Sequence, residues 1–263
     1  MGFVIEAACG CNKGKIRKNN EDNFYFDGKC LEVENDGLKN PAYIETPVKR
    51  GLSYAVFDGM GGENFGEVAS FVAARQMQQT ERALGDYLIS EKKYLNRLSM
   101  SLNEAVLQAK REQFTDRMGT TMVSLCFSGR YVYVCNIGDS RAYRLRDGEF
   151  LQISEDHVER RSVREHRKAP LTQHLGIDPE DMLIEPYIAK GELKKGDMYL
   201  LCSDGLTDML TDLEISCLMS DTVDTETCVS SLVQAALDKG GRDNITAIIC
   251  RISKYRRFIW KKK

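Results

Sequence analysis

Proline is scarce in this 263-residue chain, with five in all and no cluster among them. A proline-rich spacer between modules is therefore not expected. No apolar run approaches the ~20 residues that span a bilayer. The opening stretch MGFVIEAACGCNKGK has no basic region ahead of its short apolar segment. Neither a transmembrane segment nor a signal peptide is expected from these two features. Gly2 follows Met1, but Glu6 stands where a myristoylation signal wants Ser or Thr. Positive charge is not in excess either. The net charge is -2, with 37 Lys and Arg against 39 Asp and Glu. Nucleic acid is thus not expected as a partner. There is no internal repeat. Cys9 and Cys11 stand close together, but no second pair completes a zinc site. Nine cysteines at scattered spacing are expected to be free, buried and reduced, which suits a cytoplasmic protein.

Some chemistries are disfavoured as well. The glycines of DGMGGENFGE lack the Gly-Lys-Ser/Thr ending of a phosphate-binding loop and fit no dinucleotide fingerprint. No Gly-x-Ser-x-Gly elbow is present, so a serine hydrolase is not expected. His157, His166 and His174 fall in one segment and read as exposed or loop histidines. No cysteine is read in a C-x₅-R loop, so a thiol-based tyrosine phosphatase is not expected.

What is present alternates between strand-like and helix-like stretches. Residues 53–57, 120–127, 130–136, 141–145, 197–202 and 245–253 are apolar, β-branched or aromatic and read as strands. Asp147-Gly148 predicts a hairpin turn into a strand over 150–153. Residues 67–83, 95–114, 211–219 and 226–239 carry helical character. Residues 27–50 read as a meandering hairpin or loop. Successive strands with short joins imply antiparallel sheet, and long helices beside it imply an α+β layered fold.

The chemical signal lies in where the acidic residues fall. Asp58 ends the run SYAVF, Asp204 ends MYLLCS, Asp139 follows YVYVCNI, and Asp243 precedes ITAIICRIS. If those strands lie in neighbouring sheets, several carboxylates can converge on one edge. Crowded carboxylates resist ionising, and a hard divalent cation reverses that cost. Asp-Gly is also a common turn, and Asp27, Asp36, Asp58, Asp147 and Asp204 all precede glycine. Asp58 and Asp204 stand out because they follow buried-looking runs directly. Arg17 precedes Glu21 and Asp22, either as a surface ion pair or as a grip for phosphate oxygens.

The ordered set GKIRKNNED, FDGMGGENFGEVAS, DRMGTT, NIGDSRAYR, LLCSDGLTD and GGRDNIT resembles the PPM family, the protein phosphatase 2C type, in its bacterial branch. The likeness runs from about residue 10 to 253. It implies a central antiparallel β-sandwich flanked by pairs of antiparallel α-helices. One domain over 1–253 is expected, followed by a basic tail over 254–263. It also implies two to three Mn²⁺ or Mg²⁺ ions. By resemblance, Asp58 bridges two of them. Glu21 and the carbonyl of Gly59 complete one site, while Asp204 and Asp243 hold the other. Asp22 orients water, Arg17 binds the substrate phosphate, and Asp116 ligates a third, weaker metal. Asn244 and Asp139 match supporting positions.

The implied activity is hydrolysis of phosphoserine and phosphothreonine in proteins by a hydroxide held between two metals. Implied partners are phosphorylated proteins and a cognate Ser/Thr kinase, with the enzyme a monomer. Met60 departs from many eukaryotic relatives, which have a histidine there, so the proton donor stays unassigned. Residues 158–170 look short for the family's flap and contain Arg160, Arg161, Arg164 and Arg167. These arginines read either as a contact for a phosphorylated partner or as a solvated loop. Two alternatives stay open: a catalytically weak phosphoprotein-binding module, and a phosphatase of a small metabolite.

Overall fold

The computed structural model describes residues 2–61, 65–83, 90–159 and 169–254. Two antiparallel sheets face each other. The first has the order β3-β1-β12-β11-β8-β9. It is formed by β1 (Phe3–Asn12), β3 (Ala42–Pro47), β8 (Arg141–Arg146), β9 (Glu149–Gln152), β11 (Met198–Cys202) and β12 (Ile245–Lys254). The second has the order β10-β7-β6-β4-β2, with β5 paired to the end of β4. Its strands are β2 (Asp22–Tyr25), β4 (Leu52–Gly61), β5 (Met118–Thr120), β6 (Met122–Ser128), β7 (Tyr131–Ile137) and β10 (Tyr187–Glu192).

Both faces of each sheet are covered, which is why the central strands read as continuous apolar runs rather than alternating ones. In β4, Tyr54 and Val56 point between the sheets, while Ala55 and Phe57 point outward. The outward side of the second sheet packs on α1 (Gly66–Ala83) and α2 (Glu91–Glu112) through Ala69, Ala73, Met77, Leu98 and Leu102. The outward side of the first sheet packs on α3 (Asp204–Thr207), α4 (Asp212–Asp221) and α5 (Thr225–Asp238) through Leu206, Ile215, Val229 and Leu232. Three apolar layers therefore separate four structural layers in the order helices, sheet, sheet, helices, as the sequence led us to expect.

Local chemistry sets the boundaries. Thr211 and Glu214 form a reciprocal capping box that starts α4. Asp147 and Gly148 both have positive φ, 51° and 83°, as a two-residue hairpin between β8 and β9 requires. The stretch expected as one strand over 120–127 is broken at Thr121. Its backbone N–H donates to the Asp58 carbonyl, and its hydroxyl accepts from the Asp58 N–H. Residues 27–50 are not all loop: β3 lies among them, paired to β1 rather than folded into a local hairpin. All nine cysteines are free thiols, and Cys217 is the exposed one. His157 and His174 lie in loops but are half-buried, not exposed. His166, the four flap arginines and residues 255–263 fall outside the described residues.

Candidate functional site

The acidic strand ends meet where the two sheets abut. Asp22 and Asp58 sit directly opposite each other in the β2–β4 ladder. The Gly59 N–H donates to the Glu21 carbonyl at 3.0 Å. Glycine is demanded here by close approach. A Cβ at Gly59 would fall 2.0 Å from the Gly66 carbonyl oxygen, and one at Gly66 would fall 2.7 Å from the Glu21 carboxyl carbon. The start of α1 is thereby pressed against Glu21. These groups belong to the second sheet.

The first sheet supplies the opposite wall. Asp204 opens α3 at the end of β11 and is 7% exposed. Asp243 sits immediately before β12. A Cβ on Gly205 would lie 1.9 Å from the Asn244 carbonyl oxygen and 3.3 Å from the Asp243 Cβ, so the two segments touch through backbone.

Arg17 joins the walls. Its Nη2 donates to Asp243 Oδ2 at 2.6 Å across 226 residues of sequence. This bond is the first cause of a raised Arg17 pKa, and the charges of Glu21 and Asp58 add to it. Arg17, Glu21, Asp58 and Asp243 thus share one electrostatic neighbourhood. Asn244 holds the Arg17 loop in place. Its side-chain N–H groups donate to the carbonyls of Lys13 at 2.8 Å and Asn19 at 3.0 Å, and its Oδ1 accepts from the Glu21 N–H at 2.8 Å.

Asp22 is 1% exposed. Burial pushes its carboxyl up to about 7, against the pull of hydrogen bonds from Ser203 and Thr246, and the charges of Asp243 and Glu21 push it further. Glu21 is likewise pushed up to about 7, first by burial, with Arg17 opposing and Glu67 and Asp243 reinforcing. Glu67, in the first turn of α1, was assigned no role from sequence. Its Oε1 accepts a long bond of 3.5 Å from Asn19, and its Oε2 is buried without a hydrogen-bond partner. An acid in a first helical turn just after FDGMGG was the available signal.

Other expected positions stand further out. Asp116 is exposed, two residues ahead of β5, and takes no hydrogen bond or ion pair among the described residues. Asp139 lies in the β7–β8 turn. The next residue, Ser140, bonds the Thr121 hydroxyl at 2.7 Å, so that turn supports Asp58 through Thr121. Met60 pairs with Gly119 in the β4–β5 ladder. Against the expectation that no cysteine has it, Cys11 stands at the C-x₅-R spacing of thiol phosphatases relative to Arg17. Cys11 is nonetheless buried, and burial pushes its thiol up to about 12. It is a neutral thiol at physiological pH and not a nucleophile.

The donor set suits hard divalent cations: carboxylate and carbonyl oxygens, two carboxyls raised by crowding and burial, and a buried carboxylate oxygen with no donor. As the side chains stand, no three Asp, Glu, His or Cys among the described residues close on one point. The guanidinium of Arg17 lies among them.

Comparison with known proteins agrees with this architecture. The family model described as protein phosphatase 2C matches residues 41–239. The serine/threonine protein phosphatase PstP of Mycobacterium tuberculosis is 32% identical over 96% of this chain, which spans 46% of that relative. The serine/threonine phosphatase stp of Listeria innocua is 30% identical over 90% of this chain and 92% of its own length. A crystal structure of the PstP catalytic domain in complex with two manganese ions superposes with a TM-score of 0.75 at 28% identity, covering 96% of this chain and all of that one. The chain belongs to the protein phosphatase 2C family of metal-dependent serine/threonine phosphatases, in its bacterial branch.

Proposed function

We propose that this protein hydrolyses phosphoserine and phosphothreonine in proteins with the help of two divalent cations, Mn²⁺ or Mg²⁺. The observation that carries the reading is the gathering of Glu21, Asp58 and Asp243, from both sheets, around Arg17. In this reading Asp58, Glu21 and the Gly59 carbonyl would hold one ion, and Asp58, Asp204 and Asp243 would hold the other. Asp116 is a candidate for a third, weaker ion. When bound, such ions acidify water and neutralise phosphoryl charge.

The chain's own groups do the rest. Arg17 is 47% exposed on its side chain and carries five N–H donors. Besides its bond to Asp243, its planar fork can donate to two phosphate oxygens and hold them in line for attack. Asp22, buried against Ser203 and Thr246, orients the attacking water and can hold its proton. No histidine stands at position 60, so the leaving oxygen takes its proton from solvent or from a nearby acid.

Phosphoprotein substrates, a partner Ser/Thr kinase, a monomeric state, a single domain over 1–253 and a cytoplasmic place of action belong to the same proposal. Nine free thiols support the last. No helix among the described residues is long and apolar enough to cross a membrane.

The test is manganese-dependent release of phosphate from a phosphothreonine peptide and from p-nitrophenyl phosphate. Asp58→Asn should lower kcat by more than about a hundredfold. An inactive parent, or an Asp58→Asn variant as active as the parent, overturns the proposal. Faster turnover of sugar phosphates than of phosphopeptides would point to a metabolite phosphatase instead.

A further inference from the structure

Two hydroxyls in the family motifs have no role in the reading above. Ser203 precedes Asp204 in LLCSDGLTD, and Thr246 ends GGRDNIT. Both side chains are fully buried. Ser203 Oγ and Thr246 Oγ1 each lie 2.7 Å from the same oxygen, Asp22 Oδ2. Ser203 Oγ also accepts from the Thr246 N–H at 3.0 Å, so its own proton is available to Asp22. Thr246 Oγ1 lies 3.1 Å from Cys11 Sγ, which in turn is 3.3 Å from Asn20 Nδ2. Thr246 has one proton to give, and the carboxylate oxygen at 2.7 Å is a stronger acceptor than the sulfur at 3.1 Å, so that proton goes to Asp22. Each hydroxyl has one proton, and this assignment uses each once.

The placement of the partners matters. Asp22 is on β2, in the second sheet. Thr246 is on β12 and Cys11 on β1, both in the first sheet, and Ser203 lies between β11 and α3. The pair of hydroxyls therefore reaches across from one sheet to grip a carboxylate belonging to the other. A carboxylate held at one oxygen by two donors cannot rotate without breaking both bonds.

We infer that Ser203 and Thr246 are positioning residues, which fix Asp22 Oδ2 from the opposite sheet and so set the direction of its second oxygen. This rests on the phosphatase reading for what that oxygen does, but the anchoring itself does not. The mechanism explains why each motif carries a hydroxyl one residue before Asp204 or three after Asp243. A serine or threonine that served only to satisfy its own backbone would have no reason to share one acceptor.

The test compares Thr246→Val, which keeps shape and loses the hydroxyl, with Thr246→Ser, which keeps the hydroxyl. Thr246→Val should lower kcat about ten- to a hundredfold, with KM for p-nitrophenyl phosphate and the melting temperature little changed. Thr246→Ser should restore most of the rate. In an Asp22→Asn background, adding Thr246→Val should cost nothing further, because both act through one carboxylate. A crystal structure of Thr246→Val should show the Asp22 carboxylate turned from its parental orientation. A parental rate, a full additional loss on top of Asp22→Asn, or an Asp22 carboxylate that keeps its orientation overturns the inference. If the parent itself hydrolyses nothing, the phosphatase reading falls, and the crystal structure still decides the anchoring.

Discussion

Asp22 and Glu21 are the residues at which electrostatics and stability meet. Both carboxyls are raised to about 7 in the folded chain, against ordinary values near 4. The sign follows from proton counting. Between about pH 4 and pH 7 the folded chain binds protons that the unfolded chain has released, so in chelator these two groups cost more stability as pH rises. Thermal melts in the presence of a chelator should therefore show Asp22→Asn gaining on the parent as pH goes from 5 to 8. A difference between variant and parent that does not change with pH would contradict this. Asn244 acts at the same scale through geometry rather than charge. It makes three side-chain hydrogen bonds while 4% exposed. Asn244→Ala should cost about 2–4 kcal/mol in urea unfolding, from bonds of roughly 1 kcal/mol each plus the groups left unpaired.

At the scale of elements, the junction of β4 with α1 governs how Glu21 is presented. The backbones at Gly59 and Gly66 approach so closely that neither position has room for a side chain. A methyl at Gly66 meets the Glu21 carboxyl group, and Gly66→Ala should weaken manganese binding about tenfold by displacing it, as isothermal titration would show. Unchanged affinity would mean that Glu21 is held by something else. Elements also separate what sequence could tell from what it could not. The central strands β4, β6, β7, β11 and β12 were legible because burial on both faces leaves unbroken apolar runs. β1 was not: FVIEAACGCN has small residues where strand-formers are usual, and its identity comes from pairing with β12 and β3. β10 was missed for a different reason. It is an edge strand whose residues are half exposed, so neither alternation nor a solid run marks it.

For the whole molecule, the site belongs to neither sheet alone. Glu21, Asp22, Asp58 and Gly59 ride on one, Asp204 and Asp243 on the other, and Arg17 and Thr246 bond across the gap. Spacing in the sequence hinted at carboxylates on strand ends. Their assembly depends on contacts more than 200 residues apart, which no local pattern encodes, and the order of six motifs carried that part of the reading. Glu67 and the hydroxyl pair escaped because only packing gives them partners. The thiols offer a check on the sandwich as a unit. Cys217 is exposed and Cys30 partly so, while the other seven are buried. A thiol reagent should label Cys217 quickly in the native protein and all nine in denaturant. Rapid native labelling of Cys9, Cys11 or Cys250 would mean that the sheets part readily.

The position of β12 has a consequence for how such a molecule comes into being. The last strand among the described residues is not an edge: it lies between β1 and β11, near the middle of its sheet. A ribosome must therefore release the chain through β12 before that layer can close, and β1, made more than 230 residues earlier, waits for its neighbour meanwhile. A product truncated before Ile245 lacks more than one strand's worth of structure. It keeps Ser203 but loses Thr246, so Asp22 is left with one of its two anchors beside an incomplete first sheet.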